Sequence, residues 1–347
     1  MVAKWYKAFA CKANIVGSIP THISMNPKDY IEYKLNELKS TEKVGSFSSQ
    51  DELSDFICKT ILSKKFRKLS ISTEYIEHIR QVVNESIENN LPIKFSFTFG
   101  GYKLWRLEEA PEVDWAELFT LMYYTKWLKP ITEVYIPGVI FDFVSDDIIV
   151  ERMNNIPKKD TESYRISFEK LIKFLEKYIP VNIKFTFTPV SSLYTPEEFE
   201  KDLVDKIEKK KIEFSGLPVL DNNNRQMVEL NVKLSLEQEK DLFWKEKTIL
   251  LREAYYCVSK RRLYDRAKDK IFVWTSSKKD GKCIAVGTTK TSIVKFWVGV
   301  GVLKKNENKY IEYVLSPNQI EKEKLISELI LIDNLFGKNF KRINIFS

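Results

Sequence analysis

The stretch "PIKFSFTFGGYKLWRLEEAPEVDWAELFTLMYYTKWLK", residues 92–129, decides the fold class. It begins with alternating apolar residues that end at Gly100 and Gly101, which is typical of a strand followed by a turn. A proline and several acidic residues then open a long apolar segment, and both residue types favour the start of a helix. The stretch therefore predicts a strand, a glycine turn and a helix.

The same alternation continues along the chain. "ITEVYIPGVIFDFVSDDIIVERMNN" contains a second strand after a Pro-Gly turn, "DTESYRISFEKLIKFLEKY" has the spacing of a helix, and "PVNIKFTFTPV" is a third strand. Strands that alternate with helices of this length are typical of a parallel sheet. The middle of the chain is therefore predicted to be an α/β domain with a mostly parallel sheet flanked by helices.

The segments on either side complete the predicted domain. Residues 1–90 are mainly helical by pattern, and Ser49 is a helix N-cap with Glu52 three residues later, as in a capping box. Residues 195–265 are also predicted to be mostly helical. The last third holds strands separated by short turns, which indicates hairpins: "DKIFVWTSS", "CIAVGTT", "SIVKFWVGVGVL" and "KYIEYVLSP". We predict a single α/β domain over residues 1–347, with a core over 91–305 and a C-terminal extension over 306–347.

The composition is that of a soluble globular protein, with 44% hydrophobic and 30% charged residues in 347. Four cysteines lie far apart and there are only two histidines, so neither a Cys/His zinc site nor a catalytic serine triad is indicated. We expect no metal and no cofactor. No apolar run approaches the length of a membrane span, and a cytoplasmic location is expected.

The net charge of +8 leaves two interpretations open. One is a lysine-rich solvated surface. The other is a basic surface or pocket for an anion, such as nucleic acid, phosphate or carboxylate.

The glycine turn after the first predicted strand is a candidate ligand site. In an open α/β sheet, ligands bind beyond the carboxyl ends of the strands. Gly100 and Gly101 allow close approach of backbone N–H groups, Lys103 and Arg106 supply charge, and Tyr102 offers an aromatic face. The alternative is an ordinary turn. The spacing matches neither a dinucleotide fingerprint nor a P-loop, so a nucleotide site is not indicated.

Acidic residues follow both of the first two predicted strands. Asp114 and Glu117 lie three residues apart in the first turn of a predicted helix, where they suit contact with an ammonium group or proton transfer. Ser145 and Asp146 stand at the carboxyl end of the second strand. Acidic residues in such places also cap helices and interact favourably with the helix dipole, and this interpretation stays open.

The segment "GTTKTSIVKFWVGVGVL" is a further candidate site. Thr289, Lys290 and Ser292 bring hydroxyl groups and an ammonium group together, which suits a phosphate. The alternative is that "TKTSIVKF" alternates between polar and apolar residues, as in a half-buried strand.

In their order, these motifs resemble the isocyanide synthase family of pyoverdine and dityrosine biosynthesis. The resemblance rests on short segments over residues 70–305, namely Phe99 with Lys103, Pro111 with Asp114 and Glu117, Tyr135-Ile136-Pro137-Gly138-Val139, Ser145-Asp146-Asp147, and Lys290-Thr291-Ser292-Ile293-Val294 followed by Phe296-Trp297-Val298. Three features depart from the family's motifs. Gly-Gly-Tyr stands where a proline precedes the lysine, Ser-Asp-Asp replaces Ser-Asp-Gly, and Val294 and Val298 stand where the family has histidines.

The resemblance implies a Rossmann-like fold and a metal-independent transferase of secondary metabolism. Members of the family convert the amino group of tyrosine or tryptophan into an isocyanide and take the carbon from ribulose 5-phosphate. The implied ligands are therefore an amino acid and a sugar phosphate. Lys103 and Lys290 would hold the phosphate or the carboxylate, and Asp114 and Glu117 would contact the ammonium group or move protons.

Two other functions remain open. The lysine–aromatic stretches "WYKAFACK" and "YKLWR", together with the net charge, suit nucleic acid. The two valines suit a non-catalytic relative that binds a ligand without turnover, because valine cannot transfer a proton.

Overall fold

The structure is a computed structural model. It describes residues 25–39, 47–103, 110–153, 156–214, 269–275, 283–307 and 309–347. Arg106, most of "YKLWR", all of "WYKAFACK" and most of the predicted helical region 195–265 lie outside these ranges.

A five-stranded parallel sheet forms the centre of the fold. Its strands are β1 (Ile93–Phe99), β2 (Val139–Ser145), β3 (Ile183–Pro189), β4 (Lys270–Trp274) and β5 (Ile284–Ala285). They lie in the order β3-β2-β1-β4-β5, and every neighbouring pair is parallel. This is the strand order of a doubly wound, Rossmann-like sheet. The predicted α/β fold class is confirmed.

Helices flank the sheet and make up most of the described N-terminal part of the chain. They are α1 (Pro27–Glu37), α2 (Gln50–Ile61), α3 (Thr73–Glu88), α4 (Trp115–Thr132), α5 (Asp147–Met153), α6 (Lys158–Leu175), α7 (Pro196–Phe214) and the short α8 (Pro317–Ile320). The predicted N-cap is present, since the Ser49 hydroxyl accepts a hydrogen bond from the Glu52 N–H at 3.2 Å.

Phenylalanines form the core between the sheet and two of these helices. Phe95, Phe97 and Phe99 alternate along β1, so their rings share one face of the sheet. Phe95 contacts Trp127 of α4, and Phe99 contacts Phe168 of α6. All five side chains are at most 2% exposed. The alternation that predicted the strand therefore also selects the face on which α4 and α6 pack.

The C-terminal part forms a second sheet. Its strands are β6 (Val300–Asn306), β7 (Lys309–Leu315), β8 (Ile326–Leu329) and β9 (Arg342–Phe346), in the order β7-β6-β9-β8. β6 and β7 form an antiparallel hairpin, β8 pairs antiparallel to β9, and β6 pairs parallel to β9. The sheet is therefore mixed. The hairpin-like character that was predicted for this third is confirmed for β6 and β7, whereas β4 and β5 of the same third join the parallel sheet.

Two predicted strands are much shorter in the structure. "SIVKFWVGVGVL" becomes regular only at Val300, and "CIAVGTT" forms a strand only at Ile284–Ala285. The Ser292 N–H donates to the Thr289 hydroxyl at 3.0 Å, and the Thr288 N–H donates to the Ser292 carbonyl at 3.0 Å. Such local bonds compete with strand pairing, so this segment turns back on itself instead of extending.

Candidate functional site

The carboxyl edge of the parallel sheet brings the first group of predicted residues together. β2 and β3 lie on one side of β1 and β4 lies on the other, so the topological switch point falls between β1 and β4. Phe99 and Ser145 are register partners at the ends of β1 and β2, and the Asp146 N–H donates to the Phe99 carbonyl at 2.8 Å. The segments after these two strands are therefore immediate neighbours.

The glycine turn is packed against protein atoms. Gly101 has a φ of +71°, which is left-handed, and a β-carbon there would lie 1.9 Å from the Ser145 hydroxyl oxygen. A β-carbon on Gly100 would lie 2.9 Å from the Trp297 indole nitrogen. Both positions therefore require glycine because Ser145 and Trp297 close directly onto the turn.

Asp146 is a carboxyl group in a partly buried setting at this edge. Burial and the nearby Asp147 raise its pKa to about 7, while Lys295 offsets part of that rise. Burial and the neighbouring Asp146 raise the pKa of the Tyr102 hydroxyl to about 12. The Lys295 ammonium lies 5.5 Å from the centre of the Trp297 ring. The edge thus holds a group that titrates near neutrality, a protonated phenol and a cation.

Lys295 and Trp297 were missed as site residues in the sequence. The alternation of "SIVKFWVGVGVL" predicts a strand, in which a lysine is an ordinary outward-facing residue. In the structure, residues 292–299 of this segment form a loop. Its turn is closed by the N–H groups of Val298 and Gly299, which both donate to the Lys295 carbonyl. The loop packs the Trp297 ring near the end of β1, against Phe99.

Val294 and Val298 lie on the same loop, on either side of Lys295 and Trp297. Both are partly buried and pack against the aromatic core. These two positions, where the resembled family has histidines, therefore supply apolar packing here.

Lys103, Asp114 and Glu117 form a buried ionic network behind this edge. The Lys103 ammonium donates to Asp114 Oδ1 at 3.1 Å, to both oxygens of Glu117 at 3.0 Å, and to the Phe296 carbonyl at 2.7 Å. These three side chains are at most 1% exposed. Because an ammonium has three protons, Lys103 is fully used by these protein oxygens. The network ties the end of β1, the start of α4 and the loop before β6 to one another.

The two carboxyl groups of the network also cap α4. The Asp114 carboxylate accepts from the Ala116 N–H at 2.7 Å, and Glu117 accepts from the Asp114 N–H at 2.8 Å, which completes a capping box. Tyr164 of α6 donates its hydroxyl to Glu117 at 2.9 Å. Burial, and secondarily Asp114, raise the pKa of Glu117 to about 8, although Lys103 and the Asp114 N–H offset part of the rise.

A cavity of about 170 Å³ opens next to Ser145, at the carboxyl ends of β2 and β3. Its charged lining residues are of both signs: Asp147, Glu151, Lys158, Glu162 and Arg165. The Asp147 carboxylate accepts from the N–H and the hydroxyl of Ser191. A lining with both signs of charge suits a zwitterion.

The remaining predicted residues lie elsewhere. Thr289 and Lys290 line a different cavity of about 330 Å³, which shares no lining residue with the cavity beside Ser145. The Ser292 hydroxyl accepts from the Val314 N–H at 2.9 Å and holds the turn against β7. The structure therefore brings together Gly100 to Lys103, Asp114, Glu117, Ser145 and Asp146, and it separates Thr289 and Lys290 from the cavity beside Ser145.

Among the described residues, no group of three His, Cys, Asp or Glu side chains is placed to hold a metal ion. In the same part of the chain, no helix has both the length and the apolar character that a membrane crossing requires.

Comparison with known proteins gives a match in fold. No protein-family model matches the chain, and no curated protein matches it in sequence. The crystal structure of the PvcA protein from Pseudomonas aeruginosa superposes with a TM-score of 0.60 at 15% identity, over 85% of this chain and 100% of that chain. The chain shares the fold of PvcA. The arrangement of the elements thus agrees with the resemblance in the motifs. At 15% identity, this comparison shows the fold alone.

Two more distant structures also align. A tyrosyl-tRNA synthetase from Aeropyrum pernix has a TM-score of 0.36 at 13% identity, over 66% of this chain and 54% of that one. A CDPS from Fluoribacter dumoffii has a TM-score of 0.31 at 12% identity, over 56% of this chain and 82% of that one. At these scores the alignments carry no functional argument.

Proposed function

We propose that the protein is a small-molecule enzyme that acts on the amino group of an amino acid, in the manner of the isocyanide synthases it resembles. In this proposal a sugar phosphate supplies the carbon. The fold shared with PvcA supports the resemblance. The observation that carries the proposal is the position and ionisation of Asp146. This carboxyl group has a pKa of about 7 and lies at the carboxyl edge of the sheet, beside the switch point.

Asp146 is suited to the first chemical step. An amino acid carries its amine as ammonium at neutral pH, and attack on a carbonyl carbon requires the free amine. The ionised Asp146 takes that proton. The amine nitrogen then bonds to the carbonyl carbon of the sugar phosphate, and the protonated carboxyl returns a proton as the hydroxyl leaves as water. A group that titrates near pH 7 serves in both directions.

The neighbouring residues fit binding and positioning roles. The Lys295 ammonium attracts a carboxylate or a phosphate to the edge, and the mixed charges of the cavity beside Ser145 suit a zwitterionic amino acid. We assign a positioning role to Lys103, Asp114 and Glu117, because all three ammonium protons of Lys103 are donated to protein oxygens. They hold the Gly100–Lys103 segment against α4. A cytoplasmic location is part of the proposal and rests on the sequence alone.

Turnover is tested with tyrosine or tryptophan and uniformly ¹³C-labelled ribulose 5-phosphate, followed by mass spectrometry. We expect a product that has gained a single labelled carbon as an isocyanide. Its formation rate should rise with pH through about 7, because the base must be ionised. Asp146→Asn should abolish this rise and most of the turnover, whereas Asp269→Asn, an exposed aspartate pairing with Lys94, should behave like the parent.

Absence of labelled product from both amino acids, with Asp146→Asn binding them as the parent does, would refute the proposal. A non-catalytic relative is the second candidate, and the apolar packing of Val294 and Val298 favours it. That candidate predicts saturable amino-acid binding, weakened by Asp146→Asn, with no labelled product.

A further inference from the structure

A second cavity, of about 330 Å³, lies between α1, α4, β7 and the turn that contains Lys290. It is separate from the cavity beside Ser145 and contains none of the carboxyl-edge residues. Its volume is at the lower end of the range for small-ligand pockets. We call it the lysine cavity after four of its lining residues: Lys34, Lys65, Lys126 and Lys290.

The charge of the lysine cavity is strongly one-sided. Its four lysines face a single lining carboxylate, Glu312. Lys34 is already held by Glu37 at 2.9 Å. Lys126 projects from the middle of α4 and is partly buried, and none of the described residues forms an ion pair with it. Burial lowers the pKa of Lys126, and Lys34 and Lys65 lower it further while Glu312 and Glu37 act against them. Such a cluster of like charges attracts an anion.

The turn that presents Lys290 has a fixed backbone. The Thr289 hydroxyl accepts from the N–H groups of Thr291 at 3.3 Å and Ser292 at 3.0 Å, so the chain closes tightly around Lys290. The Lys68 ammonium donates to the Lys290 carbonyl at 3.1 Å. The Lys290 side chain itself is exposed. The fixed backbone anchors the base of this side chain beside the cavity that it lines.

Apart from Thr289 and Thr291, the rest of the lining is aromatic and apolar. It comprises Tyr30, Phe66, Phe119, Met122, Tyr123, Tyr310 and Ile311. Tyr30 and Tyr310 pack with ring centres 5.6 Å apart, and Phe66 and Tyr123 with centres 5.1 Å apart. A ligand that fills the cavity therefore meets ring faces as well as ammonium groups, so an apolar body suits it better than a bare ion.

We propose that the lysine cavity is a binding site for a phosphate monoester with an aromatic or other apolar body. Lys34 is paired with Glu37, so the other three ammonium groups exceed Glu312 by two charges, and a phosphate dianion neutralises both where a carboxylate neutralises one. The site goes beyond the reaction proposed above, since it uses none of its residues.

The test is titration calorimetry of the full chain with phenyl phosphate, without amino acid or ribulose 5-phosphate. Saturable binding is expected, and benzoate and inorganic phosphate should each bind more weakly. Lys126→Met keeps the apolar stem and removes the charge, so it should weaken binding roughly tenfold, as does the loss of one charge-assisted hydrogen bond. Lys290→Met, at an exposed position, should weaken binding with an unchanged melting temperature.

Lys64→Met is the matched control, because Lys64 is exposed next to Lys65 and does not line the cavity. Its affinity should stay at the parent value. Equal losses in Lys64→Met and Lys290→Met would mean attraction to surface charge alone and would overturn the proposal, as would the absence of saturable binding. The result is independent of turnover, so it stands or falls separately from the proposed reaction.

Discussion

Glu117 is subject to two opposing influences on its ionisation. Complete burial favours the neutral acid, while Lys103, Tyr164 and the Asp114 N–H all donate to its oxygens and favour the carboxylate. The effect of burial is the larger, so the pKa of Glu117 is raised from an ordinary 4.5 to about 8. The folded protein therefore holds this proton more tightly than the unfolded chain does.

This difference makes stability depend on pH. A raised carboxyl pKa contributes stability that is present below the unfolded value of 4.5 and is lost as pH rises through about 8. Glu117→Gln does not titrate, so the gap in unfolding free energy, parent minus variant, should fall as the pH rises from 5 to 8. Urea unfolding at both values measures the gap. Parallel pH profiles for parent and variant would contradict the raised pKa.

At the residue scale, the sequence predicted which residues share a helix turn better than it predicted which side chains bind each other. The spacing of three between Asp114 and Glu117 placed both in the first turn of a helix, and the capping box is there. Lys103 stands twelve positions before Trp115, which opens that helix, and no local period links the two. Only the tertiary packing of the Gly100–Lys103 segment against the start of α4 brings the ammonium to the carboxylates. Tyr164 and the Phe296 carbonyl, from distant parts of the chain, gave no signal at all.

At the element scale the Lys103 network joins a strand end, a helix start and a loop. Removing one partner of a buried ion pair leaves the other charge without compensation, which costs more than the pair itself contributes. The three elements should therefore loosen together when Lys103 is lost.

We expect Lys103→Met to lower the free energy of unfolding by about 3 to 5 kcal/mol, the usual cost of an unpaired buried charge. The double variant Lys103→Met/Asp114→Asn should recover part of this loss, because the stranded carboxylate is gone and asparagine can still cap α4. Hydrogen exchange should become faster in the Gly100–Lys103 segment and in the loop around Phe296. Losses that add in the double variant would argue against the network.

The elements themselves differ in how far the sequence predicted them. β1, β2 and β3 follow from alternating phenylalanines, and the helices follow from apolar spacing and caps. Ser292 to Gly299 alternates equally well and yet forms a loop, because the hydroxyl of Thr289 and the carbonyl of Ser292 bind backbone N–H groups that a strand would pair with a neighbour. Alternation indicates which residues can face a core, and it leaves open whether a partner strand is available.

At the scale of the whole molecule, the second sheet rests on the start of α4. A β-carbon on Gly301 of β6 would lie 2.3 Å from the Ala116 backbone nitrogen and 2.3 Å from the Trp115 carbonyl carbon. The Gly301 N–H also faces Asp114 Oδ1 at 3.5 Å. Backbone thus packs directly on backbone, next to the buried network.

Gly301→Ala should force the second sheet away from α4. We expect a loss of roughly 1 to 3 kcal/mol in unfolding free energy, the range for overpacking a closed interior. Lys305→Ala, at an exposed position on the same strand, should change stability little. Thermal and urea unfolding compare the two. If Gly301→Ala is as stable as Lys305→Ala, the close approach is not maintained in solution.

The sequence by itself determined the α/β class, the parallel strands and the helix starts. These depend on side-chain period, capping chemistry and backbone conformation, all of which act over a few residues. The division at residues 90 and 305 stays a prediction, although strands from both sides of residue 305 share the second sheet. Tertiary structure alone decided the strand order, the partners of Lys103, the place of Lys295 beside Asp146, and the separation of Lys290 from the carboxyl edge. These four features follow from which surfaces bury each other and from the desolvation of the charges between them. Neither effect produces a repeating pattern among neighbouring residues of the sequence.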